Sequence, residues 1–473
     1  MSIWERWPTA ESFYAERDHR TEIEVETLRR YVDTPIEIHV SELAALSPAI
    51  QQMALTAANL TSRWARRISV FVPQVKLERP LSCLGDHSLA DRIAREMREA
   101  DPFGNFKVEG PNRGDRRSLR IFVGSSEQFE IGDRDYCISA DRWMALGRRG
   151  RQFEIGVAPS AVAPAAALAG ALGASDLFKR AIGHSTKEWL HDLIWCTWDH
   201  EFHTYVDLCR APAVPSSGEF GNVLLAGVGA IGSALLYILG MVGGSGNLTL
   251  LDRDGVETSN LNRSPLFTAK DAAEQRRKVD VGQDFLRRIG IGANVIHGPW
   301  REVADSVSGQ RFDVWVSLTN EDGAWSEVPY HLPPPVLHGT TTSGWGIGFG
   351  RHLPGIEDCT GCRLPQPHAQ FRGPCAQGVI AEPAEQKQIR ASLPFLSTVP
   401  GALIAAELLK LNYAQAPSLP NLVQADFRFG VPFLVALRVL RNPQCRGCQS
   451  WNEALWSARG GRSRFAAFSQ QST

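Results

Sequence analysis

The feature that most constrains this chain is a glycine turn between an apolar run and a helical one. Gly221–Ala226 reads as a strand, with Val223-Leu224-Leu225-Ala226 at its core. Gly227-Val228-Gly229-Ala230-Ile231-Gly232 follows, then the helical run Ser233–Met241 and a second buried strand, Asn247–Leu251, ending in Asp252. Gly232 and Asp252 are 20 residues apart, the interval of a nucleotide-binding βαβ unit. Glycines at such a turn let backbone N–H groups approach a phosphate at a helix N-terminus, where the dipole favours negative charge. Asp252 then stands where an acid hydrogen-bonds a ribose hydroxyl. Arg311–Leu318 reads as a further strand and Val399–Leu411 as a late apolar helix. The pattern predicts a doubly wound, Rossmann-like α/β fold.

The connection after Asp252 is too polar for an ordinary loop. Leu251 to Arg263 carries Asp252, Asp254, Glu257, Asn260 and Arg263, and Lys278 follows on what reads as a basic helix, Gln275-Arg276-Arg277-Lys278. A dinucleotide oxidoreductase needs little here beyond the ribose-binding acid. An enzyme that splits ATP between its α and β phosphates must hold Mg²⁺ and neutralise triphosphate charge, and Asn260, Arg263 and Lys278 supply such groups. The plain alternative is a solvated charged helix face.

Nine cysteines, an odd number, in a chain whose Met1–Thr9 start shows no signal peptide argue against a disulfide framework and for a reducing cytoplasm. Four of them form two C-x-x-C pairs, Cys359/Cys362 and Cys445/Cys448, with 82 residues between. That spacing suits a closed tetrahedral Zn²⁺ site, with a redox dithiol as the alternative. Cys375 lies in Phe371-Arg372-Gly373-Pro374-Cys375-Ala376-Gln377-Gly378, a loop-like segment with Arg372 near enough to favour a thiolate. It suits a nucleophile better than a buried structural cysteine does. Trp189–His203 holds His191, His200, His203 and Cys196, but the spacing fits no standard metal site and the aromatics argue for packing.

From about Gly218 to Cys448 the chain resembles the ThiF/MoeB and ubiquitin-activating-enzyme superfamily. The matching pieces are Gly227-x-Gly229-x-x-Gly232, Asp252-x-Asp254, Ser259-Asn260-Leu261-x-Arg263, Lys278, both C-x-x-C pairs and Arg441-Asn442-Pro443-x-Cys445-x-x-Cys448. The resemblance implies adenylation of the C-terminal glycine of a ubiquitin-like protein with Mg-ATP. Asp252 would take the ribose, Asn260, Arg263 and Lys278 the phosphates, with Asp254 also in the ATP site. It further implies a structural zinc on the four cysteines, a thioester at Cys375 and transfer to a ubiquitin-conjugating-like enzyme, in a bacterial conjugation pathway with antiviral defence as its setting. One position departs from the pattern. Ser317-Leu318-Thr319-Asn320-Glu321-Asp322 places Asn320 where the family holds Mg²⁺ with an aspartate, so either Asp322, or else Glu321, reaches in, or metal binding is altered. A sulfur-carrier adenylyltransferase without thioester transfer, an NAD-binding oxidoreductase and a non-catalytic scaffold are the competing functions.

Residues 1–215 carry no recognisable chemical motif but also look α/β, with strands over Ser118–Val123 and Phe153–Val157 and a charged helix over Ser88–Ala100. Ala211–Gly218 has the punctuation of a linker. Residues 216–455 form the expected adenylation domain and 456–473 a disordered tail. Gly156–Ser175 is uncharged over 20 residues, but it is mostly Ala and Gly with two prolines, which suits a helix packed inside a soluble protein. Pro164–Ile182 resembles Gly401–Lys410, so the first half is either a decayed copy of the second or a chance likeness between Ala-rich helices. In the superfamily, catalytic units are dimers or pseudo-dimers in which a neighbouring half lends an arginine to the ATP; Arg63, Arg66 and Arg67 are candidates. Lys+Arg of 50 against Asp+Glu of 51 excludes a nucleic-acid coat or polybasic membrane binder, both of which need a basic excess.

Overall fold

A computed structural model describes residues 3–24, 32–78, 81–126, 128–153, 160–204, 209–215, 218–319, 321, 324–331, 333–342, 345–353, 355–363, 379–381, 388–390, 393–410, 413 and 419–451. Cys375, Asn320, Asp322 and the tail 456–473 lie outside the described residues, as does most of the strand expected over Phe153–Val157.

The first half opens with short helices α1 (Ile3–Arg6), α2 (Ala10–Arg17) and α3 (His19–Glu24). Strand β1 (Ile36–Val40), helix α4 (Pro48–Ser62), strand β2 (Arg67–Phe71), helix α5 (Leu89–Ala100) and strands β3 (Asn105–Glu109), β4 (Leu119–Val123), β5 (Tyr136–Asp141) and β6 (Met144–Arg149) follow. The half closes with α6 (Ala163–Ala181) and β7 (Leu193–Cys196).

The second half begins with β8 (Glu219–Ala226), α7 (Ala230–Val242), β9 (Ser245–Asp252), α8 (Ala269–Ala273), α9 (Lys278–Arg288) and β10 (Gly292–His297). It continues through α10 (Trp300–Ser308), β11 (Val314–Ser317), α11 (Ala324–Glu327), β12 (Val336–Thr342), β13 (Gly346–His352) and α12 (Thr360–Arg363). A two-stranded sheet, β14 (Val379–Ala381) and β15 (Gln388–Arg390), precedes α13 (Thr398–Lys410), β16 (Leu422–Asp426), β17 (Phe433–Leu437) and α14 (Arg446–Ser450).

The two large sheets share one plan. The first runs β3-β2-β1-β4-β5-β6-β7 and the second β10-β9-β8-β11-β12-β13-β16-β17. In each, the first five strands are parallel and the later ones antiparallel. Helices fall at matching places as well: α4, α5 and α6 stand in the first half where α7, α9 and α13 stand in the second. The likeness of Pro164–Ile182 to Gly401–Lys410 therefore falls on helices that occupy equivalent positions in two units of the same topology.

All of α6 and α13 and nearly all of α4 are buried. α6 packs on α4, and α13 on α7, while α6 and α13 also meet each other, so one continuous core spans both halves. This placement explains the Ala and Gly content. A Cβ added at Gly170 of α6 would lie 2.7 Å from Thr56 Cβ and 3.0 Å from the Met53 carbonyl oxygen of α4. At Gly401 of α13 it would lie 3.0 Å from Ala234 Cβ and 3.2 Å from the Leu235 nitrogen of α7. Small residues here let helices approach one another, and among the described residues no helix is long and apolar enough to cross a membrane.

A buried ionic cluster closes the same core. Glu407 of α13 accepts from Arg351 (3.0 Å), Lys410 (2.5 Å) and His200 Nε2 (2.8 Å). Burial alone would raise Glu407; Lys410 and Arg351 outweigh it and hold the carboxyl well below the ordinary range. Burial pushes His200 down to about 4, so its ring is neutral. One sequence expectation needs correcting. Gln275-Arg276-Arg277 is not helical, with Gln275 in a turn at φ 50°, and only Lys278 begins a helix. Cys196 and Cys209 are brought into disulfide contact, a single pair and not a framework.

The glycine contact between α4 and α6 makes a direct test. Gly170→Val should lower the unfolding free energy by about 1–3 kcal/mol, the usual cost of overpacking, in denaturant titration followed by circular dichroism. An unchanged midpoint would mean that the helices do not approach as described.

Candidate nucleotide site and cysteine cluster

The glycine turn forms because its backbone admits nothing larger. Gly227 has φ 100°, and a Cβ there would sit 2.7 Å from the Leu318 carbonyl carbon. A Cβ on Gly232 would sit 2.3 Å from the Gly227 carbonyl oxygen. Gly229 is the N-cap of α7, and a Cβ added to it would meet no other group within 4 Å. The start of a 13-residue helix thus has open space beside its cap residue, and its first N–H groups have no partner within the helix, as an anion site requires.

Asp252 holds this turn in place. Its Oδ2 accepts from the Val228 N–H at 2.7 Å and its Oδ1 from the Asp254 N–H at 2.9 Å. Burial raises its pKa, with Lys278 acting in the opposite sense. Lys278 is the first residue of α9; its Nζ lies 3.0 Å from Asp254 Oδ2 and its backbone N–H donates to the Asp254 carbonyl at 3.1 Å. Gly227, Gly229, Gly232, Asp252, Asp254 and Lys278 thus gather at the C-terminal ends of β8 and β9.

Asn260 and Arg263 lie on the loop that follows β9. Asn260 is buried in a 3-10 turn, where its side-chain oxygen accepts from the Glu257 N–H at 3.0 Å. Arg263 donates to the Ser259 carbonyl (2.6 Å) and Asn262 Oδ1 (2.7 Å). The loop returns to the helix at Ser233, whose Oγ accepts from the Leu266 N–H at 3.1 Å. Glu321 accepts from the Trp300 N–H at 2.9 and 3.1 Å and so caps α10.

The first half grips this loop through residues that carry no motif. Arg63, fully buried at the end of α4, donates to the carbonyls of Leu261 (2.7 Å), Pro265 (2.8 Å) and Phe267 (3.3 Å). Asn59 donates to the Pro265 carbonyl at 3.1 Å, the Thr258 hydroxyl to Glu16 at 2.7 Å, and Asn262 to the Thr21 hydroxyl at 2.8 Å. Of the three arginine candidates, Arg63 reaches the nucleotide half, but its contacts are backbone carbonyls. Arg66 stacks on Tyr14 and pairs with Asp18, and Arg67 stands exposed at the start of β2. Only the accumulation of polar and basic residues near the end of α4 could have signalled this grip.

The second cluster is built from four cysteines. Cys359 and Cys362 flank the start of α12, and Cys445 and Cys448 the start of α14. All four sulfurs lie within 4.8 Å of one another, with Cys359–Cys362 at 3.8 Å, Cys359–Cys445 at 3.7 Å and Cys362–Cys448 at 3.3 Å. Tetrahedral zinc with bonds of about 2.3 Å sets sulfur–sulfur edges of about 3.8 Å, so the residues fit that ion. Gly447 is needed beside it, since a Cβ there would lie 3.1 Å from Cys359 Sγ. His338 is buried and bonds His352 Nε2 at 2.9 Å, away from solvent.

Fold and site together define an α/β unit with a glycine turn at a helix N-terminus, joined to a four-cysteine cluster that could hold a metal ion. Residues 219–311 match the ThiF family, and residues 35–189 match the family described as the BilD N-terminal domain. Over 143 residues the chain is 31% identical to ubiquitin-like modifier-activating enzyme 7 of Homo sapiens, covering 26% of this chain and 13% of that protein. Over 162 residues it is 26% identical to the sulfur carrier protein ThiS adenylyltransferase of Bacillus subtilis, covering 33% of this chain and 48% of the relative. The aligned stretch is thus less than half the length of either relative. Among solved structures, Escherichia coli MccB aligns with a TM-score of 0.39 at 20% identity, over 49% of this chain and 65% of that one. The second half of the chain is thus similar, over residues 219–311, to the ThiF family and to adenylyltransferases and activating enzymes of that superfamily.

Two outcomes follow from this geometry. Arg63→Met removes the donor to three buried carbonyls, of which Pro265 alone keeps a partner in Asn59, and should cost about 1–3 kcal/mol of stability, with amide exchange rising across residues 257–267 ahead of the sheet. Cys448→Ser should remove one equivalent of zinc per chain, read by elemental analysis, and lower the thermal midpoint.

Proposed function

We propose that the chain activates the C-terminal glycine of a ubiquitin-like protein with Mg-ATP. The observation that carries this reading is the open α7 N-terminus, held by Asp252 and flanked by Lys278 and Asp254, within the stretch that matches the ThiF family. The amides of the Gly227–Gly232 turn take phosphate oxygens, and Asp252 hydrogen-bonds the ribose. Lys278 exchanges Asp254 for a phosphate, and Asn260 and Arg263 neutralise further charge as it moves onto the leaving pyrophosphate. Asp322 helps Asn320 hold Mg²⁺. The glycine carboxylate attacks the α-phosphorus, pyrophosphate leaves, and an acyl-adenylate remains. The Cys375 thiolate then displaces AMP to give a thioester, which passes to a cysteine of a conjugating enzyme. Zinc on Cys359, Cys362, Cys445 and Cys448 is structural and closes the segment that carries Cys375.

On this reading residues 1–215 form an inactive adenylation-like domain, residues 216–455 the active one, and one chain holds one complete ATP site as an intramolecular pseudo-dimer. The first half supports this through what replaces its glycine turn. Between β1 and α4 runs Ser41-Glu42-Leu43-Ala44-Ala45-Leu46-Ser47-Pro48, which contains no glycine, and Pro48 removes an N–H from the first turn of α4. A second reading, adenylation of a sulfur carrier without thioester transfer, is favoured by the name of the Bacillus subtilis relative.

Pyrophosphate exchange with a glycine-tailed partner, followed by non-reducing electrophoresis, separates these functions. Exchange and a thiol-labile adduct that disappears in Cys375→Ala are expected, with exchange retained in that variant. Exchange without an adduct selects the sulfur-carrier reading. No exchange with any glycine-tailed partner overturns both.

A further inference from the structure

The chain leaving β7 brings together four metal-ligating side chains far from the Cys359 cluster. Cys196 ends β7, and Asp199, His203 and Cys209 follow it; their ligand atoms all lie within 4.8 Å of one another. A tight turn sets this up. The Cys196 N–H donates to the Glu201 carbonyl at 3.0 Å, the His203 N–H to the Ile194 carbonyl at 2.9 Å, and the Glu201 N–H to Asp199 Oδ1 at 3.0 Å. At its apex His200 adopts φ 64° and turns away to Glu407. His203 Nε2 faces Asp199 Oδ2 at 2.8 Å, and both sulfurs are buried. The spacing of Cys196 with His191, His200 and His203 reads as packing in the sequence, and Asp199 and Cys209 join Cys196 and His203 only through the fold.

The structure joins Cys196 to Cys209, yet a disulfide has no use for an imidazole and a carboxylate converging on its two sulfurs. The Cα atoms are 6.7 Å apart, near the outer limit of about 6.8 Å for a disulfide. Two thiolates on one tetrahedral zinc stand about 3.8 Å apart and want the wider spacing. The remaining described cysteines are unpaired, four of them in a cluster that requires reduced thiols.

We propose that in the reduced chain Cys196, Asp199, His203 and Cys209 form a second, closed site for a zinc-type divalent cation. Two thiolates, one imidazole and one carboxylate are all zinc ligands, and each thiol gives up its proton as it binds. The site is structural. It fastens the end of β7 to the start of the connection that enters the second half. That connection is also held at the Pro212 carbonyl by Trp143 Nε1 (3.0 Å) and at the Ala213 carbonyl by the Tyr413 hydroxyl (3.2 Å).

The test is zinc per chain, by elemental analysis of the full chain purified under reducing conditions without chelator. Two equivalents are expected in the wild type and one in either Cys209→Ser or His203→Ala. His203→Cys, which supplies a replacement thiolate, should restore the second. His203→Ala keeps both cysteines, so it leaves a disulfide intact and separates the two arrangements. Its thermal midpoint, together with retention of the Cys359-cluster zinc, reports that the variant is folded. One equivalent in the wild type, unchanged in His203→Ala, overturns the proposal. So does recovery of a Cys196–Cys209 linked peptide from the reduced preparation.

Discussion

A guanidinium shut away from water persists only where oxygens surround it, and Arg63 finds those oxygens on the far side of the molecule's midline. Its donors end on carbonyls of the loop that follows β9, and that loop carries Asn260 and Arg263. The cost of burying an unpaired charge is large, so the two halves cannot drift apart without exposing or orphaning this group. The loop is irregular and rich in polar side chains. What fixes it is a side chain from the first half, assisted by Asn59, Glu16 and Thr21.

The same division of labour appears in the helices. α6 and α13 occupy matching places in two sheets of one plan and meet each other, while their glycines let α4 and α7 approach closely. What reads locally as an oddly apolar stretch, Gly156–Ser175, is the composition of a helix with protein on every side. Glu407, Lys410 and Arg351 occupy the same interior and satisfy one another. His200 of the first half joins them through Glu407 Oε1 at 2.8 Å, so the network crosses between the halves.

Much of the second half was legible because local chemistry wrote it. Gly227 and Gly232 are dictated by contacts of under 3 Å at their absent Cβ atoms, and a Cys-x-x-Cys pair needs only one helical turn to present both sulfurs. The strands at Gly221–Ala226 and Asn247–Leu251 and the helix near Val399 came out within a few residues, since buried parallel strands are continuous apolar runs. The basic run before Lys278 misled. Helical propensity is ample in Gln275-Arg276-Arg277, but Gln275 takes a left-handed turn so that the Lys278 N–H can reach the Asp254 carbonyl. The first half was opaque for another reason. Its topology repeats that of the second while the residues that announce a nucleotide turn are gone, and Arg63 shows its value only once both halves are folded. Cys196 and Cys209 met the same obstacle on a smaller scale, since a turn about His200 brings them face to face.

The covalent link between the two units has a further result. Separate subunits that complete each other obey mass action and come apart on dilution, so the loop support described for Arg63 would vary with protein concentration. Here the pairing is a first-order event within one polypeptide, with an effective local concentration set by the short connection from Cys209 to Gly218. The loop after β9 consequently keeps the support of Arg63 at any abundance.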